Sequence, residues 1–144
     1  MTPAFSRILA LDLGKRRIGL AISDPLGITA QGLPNLVRTR IRTDLDTLEQ
    51  LIHDREVGLI LLGNPINMRG TEGRQSVWVR EFAASLEKRT HLPVKLWDER
   101  LTSVAAQRSL HEAGRNVKNS REVIDQVAAQ LILQGWLDSQ AMLG

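Results

Sequence analysis

The sequence predicts an α/β fold, a mixed β-sheet with helices on its faces, on three observations. Two apolar runs, Ile8–Leu11 and Ile18–Ile22, stand close together at the start of the chain, separated by a short basic turn. Helical and strand-like patterns then alternate through Val57–Leu62 and Val94–Trp97, and helical spacing fills the C-terminal third. Antiparallel strands first, then alternating helix and strand, make a sheet that buries its faces under helices.

The stretch Ile8–Asp24 reads as a hairpin: an apolar run carrying Asp12, a turn of Gly14-Lys15-Arg16-Arg17, a second apolar run, and a stop at Ser23-Asp24-Pro25. Ile28–Val37 predicts a weaker third strand, with Pro34 marking an edge or an end. From Ile41, residues Leu45, Leu48, Leu51 and Ile52 recur at helical spacing, and Thr39 or Thr43 is placed to cap that helix. Val57–Leu62 is short enough for a buried strand and is closed by Gly63. The segment Gly63–Gly73 has the glycine, proline and asparagine content of a loop. A helix with Val79, Phe82 and Leu86 on one face follows, then a strand at Val94–Trp97. Thr102 caps a predicted helix to about Ala113, stopped by Gly114, and Ser120 caps a last helix to about Leu137.

The 144 residues fit a single domain over 1–144 with a proper core, and no repeat or linker divides them. No apolar run reaches the ~18 residues of a membrane span and the N-terminus carries no signal-peptide pattern. Cysteine is absent, which excludes disulfides, thiol catalysis and cysteine-bound zinc and fits a cytoplasmic address. The net charge is +3 and most of the 19 basic residues are arginine, whose planar fork matches phosphate oxygens. A polyanionic partner follows as one expectation, and plain solubility is the other. With three Trp, two Phe and no Tyr, base stacking on an aromatic platform is not expected, so phosphate and shape would hold a nucleic acid.

Three carboxylates carry the chemistry. A carboxylate inside a central strand is costly unless a cation, a metal or several hydrogen bonds meet it, and Asp12 is in that position. Projected at 100° per residue, Asp125 falls within about 60° of Ala128, Ala129, Ile132 and Trp136, on the apolar face of the last helix. Glu99 stands just past the Val94–Trp97 strand, at the end where open α/β sheets place their sites. If that strand neighbours the Asp12 strand, the three acids can converge. Such a site is hard and oxygen-rich, suited to Mg²⁺ or Mn²⁺ rather than zinc. Two such ions about 3.5–4 Å apart can position a water and stabilise the leaving oxygen of a phosphodiester. Taken singly, each acid has a structural alternative: Asp12 paired with Lys15 or Arg16, Glu99 at a helix N-terminus, Asp125 bonded to Arg121 or Arg100. His53, His91 and His111 show no metal-ligand spacing, and no nucleophile elbow, Walker loop or dinucleotide fingerprint occurs.

Four stretches in order, LALDLGKRRIGLAISD at 9–24, MRGTEG at 68–73, DERLTS at 98–103 and IDQVAAQLILQGWL at 124–137, make the chain resemble the YqgF family. These are pre-16S rRNA nucleases, also described as Holliday junction resolvases, of the ribonuclease H-like fold. The resemblance implies a ribonuclease H-like mixed sheet with helices on both faces and a metal-dependent nuclease that processes the 5′ end of pre-16S rRNA. It maps the catalytic and metal-holding acids to Asp12, Glu99 and Asp125, and makes Lys15, Arg16, Arg69, Arg74 and Arg100 candidate phosphate contacts. Two departures stand out: Asn64 where the family usually has leucine, and Arg69 where it usually has aspartate. The implied partner is precursor rRNA, free or within a ribosomal particle, for a monomer or homodimer that binds no membrane. A DNA-junction endonuclease and a non-cleaving RNA-binding assembly factor are the alternatives. The D-x-G hairpin also resembles that of actin-like kinases, but their ATP sites lie between two domains and this chain is short.

Overall fold

The computed structural model describes residues 7–64, 73–98 and 117–143, with side chains at 75–98 and 127–142 in the latter two segments. Within these residues five strands and three helices follow in the order β1 (Arg7–Leu13), β2 (Arg17–Ser23), β3 (Ala30–Val37), α1 (Ile41–Asp54), β4 (Val57–Asn64), α2 (Arg74–Thr90), β5 (Val94–Asp98) and α3 (Val117–Leu143). The sheet order is β3-β2-β1-β4-β5. β1–β2 and β2–β3 pair antiparallel, whereas β1–β4 and β4–β5 pair parallel.

The hairpin forms as its sequence predicts. The Gly14 amide donates to the Arg17 carbonyl at 2.9 Å, and a Cβ on Gly14 would stand only 2.7 Å from that same oxygen. Glycine is therefore required by close backbone approach rather than by an unusual dihedral.

Alternation along each strand divides the core in two. Leu9, Leu11 and Leu13 of β1 join Ile60 and Leu62 of β4 on the face covered by α1 and α2, where Leu48, Val79, Phe82 and Leu86 are buried. Ala10, Ala21 and Leu61 turn to the other face, against Ala128, Ala129, Ile132, Leu133 and Leu137 of α3. Each fully buried leucine or isoleucine contributes about 1.5–3 kcal/mol by transfer from water. Alanines from both layers meet under α3, so that helix can lie close to the sheet.

Several boundaries depart from expectation. β4 continues through Gly63 to Asn64, because parallel pairing of Gly63 with Trp97 and Asn64 with Asp98 carries the ladder past the glycine. The cap of α1 is Arg40, whose side chain makes no capping bond. Asp44 of the first turn instead reaches back to Thr39, accepting from its N–H at 3.1 Å and its Oγ1 at 3.2 Å. α3 begins at Val117, so Ser120 lies within the helix rather than capping it, and no proline or glycine interrupts the chain from there to Gln134. β5 does not adjoin β1; β4 stands between them. The helix expected from Thr102 to Ala113 lies outside the described residues.

Among the described residues no helix is long and apolar enough to cross a membrane.

Candidate functional site

Asp12 is the next-to-last residue of the central strand and is only 5% exposed. It follows Ala10 on the sheet face that α3 covers, where the apolar run would otherwise continue. Its partner across β2 is Gly19. On the β4 side, Gly63 lies two residues beyond Leu61 on the same face. Neither neighbouring strand therefore crowds the carboxylate with a side chain of its own. A strand holds the Asp12 backbone rigidly, and the glycines on both flanks add no side chain beside its carboxylate.

β5 sends Lys95 and Trp97 to this same face. Trp97 meets Trp136 of α3 edge to face, with ring centroids 6.1 Å apart at 86°, and the Lys95 ammonium lies 5.1 Å from the Trp136 centroid. β5 ends at Asp98, immediately before Glu99. Glu99, Arg69 and Arg100 lie outside the described residues. Asp125 falls within the backbone of α3, three and four residues ahead of the buried pair Ala128 and Ala129. Arg74 is the first residue of α2. Of the three acids, Asp12 is thus the one whose side chain is described.

Lys15 and Arg16 occupy the turn that follows Asp12, and both are exposed. The turn is braced from behind by Arg38, a residue that sequence reading passed over. Its Nη1 donates to the Gly14 carbonyl at 3.1 Å, and its backbone N–H donates to the Arg16 carbonyl at 2.8 Å. The guanidinium lies 4.8 Å from the Trp78 ring centroid and 5.8 Å from that of Phe82, and its Nε is 3.5 Å from Asp44 Oδ2. Arg38 thereby ties the turn to α1 and α2 together. At the far end of β2, Asp24 accepts from the amides of Ile28 and Thr29 at 2.7 and 2.9 Å. These bonds, that of Thr29 foremost, hold its carboxyl below the usual carboxylate range.

Asn64 ends β4 on the opposite face from Asp12, paired with Asp98 and 5% exposed. Its Oδ1 is sealed from solvent and finds no donor among the described residues, and the Trp97 Nε1 hydrogen finds no acceptor there. Unmet buried hydrogen-bonding capacity thus occurs at the Asp12 end of the sheet.

The donor set fits a divalent ion. The acids proposed for it offer oxygen alone, there is no cysteine in the chain, and the residues beside Asp12 on the two flanking strands are glycines.

The sequence profile of the RuvX family, described as Holliday junction resolvase, matches residues 6–139. A Koribacter versatilis protein named "Putative pre-16S rRNA nuclease" is 50% identical over 136 residues, covering 94% of this chain and 89% of that protein. A Myxococcus xanthus protein of the same name is 50% identical over 133 residues, covering 92% of this chain and 88% of its own. Among solved structures, RuvC of Thermus thermophilus superposes with a TM-score of 0.57 at 11% identity, over 94% of this chain and 96% of RuvC. At that identity the likeness speaks for the fold, which is ribonuclease H-like.

Proposed function

The chain belongs to the RuvX family, and on that premise we propose that it is a metal-dependent nuclease that trims the precursor of 16S rRNA. The observation that carries this reading is Asp12: a buried acid on the central strand, flanked by side-chain-free positions, with a basic turn directly after it.

The placement of α3 supports a catalytic centre at that point. Gln134 fixes the helix to β3, accepting from the Ala30 amide at 3.2 Å and donating to the Ile28 carbonyl at 3.3 Å. Ala30 pairs with Ser23, whose Oγ accepts from the Ile8 amide at 2.9 Å, so Gln134 is level with Ile8. With right-handed crossovers, a right-handed helix that leans Gln134 toward β3 and sets Trp136 against β5 runs opposite to β1. Nine residues back along α3, Asp125 is about 13.5 Å higher at 1.5 Å per residue. Four residues along β1, Asp12 is about 13 Å higher at ~3.3 Å per residue. The α3 backbone at position 125 is therefore about level with Asp12, and β5 ends, at Asp98, at the same end of the sheet.

Asp12, Glu99 and Asp125 would hold Mg²⁺ or Mn²⁺. Divalent ions, when bound, supply an activated water and neutralise charge building on the phosphate. Asp12 is pre-oriented by the strand, so little ordering remains at the moment of reaction. Lys15 and Arg16, on the turn braced by Arg38, are placed to grip phosphates beside the scissile bond, and Arg69, Arg74 and Arg100 would extend that grip. Neighbouring apolar residues under α3 lower the local dielectric and strengthen each of these contacts.

The test is incubation of pure protein with precursor 16S rRNA fragments and with four-way DNA junctions, with and without Mg²⁺. Mg²⁺-dependent RNA cleavage is expected. Cleavage of the junction alone would make the chain a DNA resolvase, and binding of RNA without any cleavage would make it an assembly factor.

A further inference from the structure

Two arginine-rich stretches that are distant in sequence meet at one corner of the sheet. Lys15, Arg16 and Arg17 belong to the β1–β2 turn, and Arg38, Arg40 and Arg42 belong to the passage from β3 into α1. Antiparallel pairing places Arg17 opposite Val37, and the Arg38 amide donates to the Arg16 carbonyl at 2.8 Å. Six of the chain's 19 Lys and Arg residues are thereby gathered within a few strand positions. Asp44 enters the same corner but is buried, taken up by Arg38 and Thr39. Lys15, Arg16, Arg40 and Arg42 are exposed.

The corner has a direction. Asp12 lies three residues before Lys15, Arg16 lies against Arg38, and Arg40 is two residues further, about 6–7 Å at extended spacing. Arg42 stands in the first turn of α1, a helix of 14 residues whose N-terminus carries no side-chain cap. Clustering like charge opposes folding, a cost that a polyanion relieves. We infer that Arg40 and Arg42 continue the phosphate-binding surface of Lys15 and Arg16, so that single-stranded RNA leaves the Asp12 site over the turn and along the start of α1. The partner is the sugar-phosphate backbone, held by charge without reading of bases. This inference rests on the nuclease reading for the position of the scissile bond. The surface itself is measurable without cleavage.

Binding of a fluorescent single-stranded RNA is measured by anisotropy between 50 and 200 mM KCl, in an Asp12→Asn background. For single strands each neutralised phosphate contributes about 0.7 to the log–log slope. Arg40→Ala with Arg42→Ala should weaken binding several-fold and make the slope shallower by about 1–1.5, the two contacts together. The charge-preserving pair Arg40→Lys and Arg42→Lys should keep the slope near that of the parent. Arg55→Ala with Lys88→Ala removes equal charge near the C-terminal ends of α1 and α2 and should leave the slope unchanged. An unchanged slope in the Arg40/Arg42 pair, or an equal fall in the Arg55/Lys88 pair, overturns the inference. Cleavage by the wild type is assayed alongside, so failure of the nuclease reading is seen separately from failure of this surface.

Discussion

Replacing Asn64 by leucine should raise the melting temperature. Asn64 is only 5% exposed, and its Oδ1 has no donor among the described residues. An uncompensated buried acceptor costs about 1–3 kcal/mol. Leucine has the same branching at Cγ and adds apolar contact on the face that already holds Ile60 and Leu62. Its slightly greater bulk offsets part of the gain, since overpacking in a filled core also costs about 1–3 kcal/mol. A net gain of ~1–2 kcal/mol is expected, which for a chain of this size raises Tm by about 3–6 °C. Asn64→Asp should act oppositely, placing a charge in a buried position directly across from Asp98. Thermal and urea unfolding of the three proteins measure both. An Asn64→Leu protein no more stable than wild type would show that Oδ1 is satisfied in the folded chain, and the assignment of an unmet acceptor would fall.

Three further outcomes follow from local geometry. Gly14→Ala should destabilise by about 1–3 kcal/mol, because its Cβ would press on the Arg17 carbonyl oxygen, a backbone atom that cannot swing aside; chemical denaturation measures it. Asp24 contributes stability at neutral pH because its folded pKa is depressed, and that contribution disappears as pH falls through the lowered value. Wild type should therefore lose more stability than Asp24→Asn between neutral pH and the acid side of the carboxylate range. If Asp125 is a metal-holding acid, Mg²⁺ should raise Tm beyond matched ionic strength, the stabilisation being about 2.7 kcal/mol at a hundredfold excess over Kd. Asp125→Asn should shrink that gain, and an unaltered response would make Asp125 a structural acid.

The hairpin, the two parallel strands and their helices were legible because each has a strong local signature: apolar runs for strands buried on both faces, and helical spacing in α1 and α2. Asp12 was legible because a charge within such a run is conspicuous. What escaped depends on pairing across the sheet. β4 reads as ending at Gly63, since nothing local shows that β5 will hold Asn64 in the ladder. The order of β1, β4 and β5 is likewise a tertiary outcome: the sequence left open whether β5 adjoins β1, and β4 stands between them. Nothing local marks Gln134 as the anchor to β3, because only the packed helix shows its long amide side chain reaching past the flank to an edge strand. Arg38, Arg40 and Arg42 stand at alternate positions in the sequence, with no local sign of a shared surface. Only the β2–β3 register shows that they meet the run at 15–17.

The central claim is that Asp12 serves chemistry rather than packing. Its most direct test is single-turnover cleavage of end-labelled precursor 16S rRNA by wild type and Asp12→Asn in saturating Mg²⁺, with RNA affinity and Tm measured on the same preparations. Cleavage by Asp12→Asn should fall to background while affinity holds and the protein stays folded, since the substitution is nearly isosteric and no phosphate contact has been lost. Cleavage at the wild-type rate, in protein free of contaminating nuclease, would contradict the account.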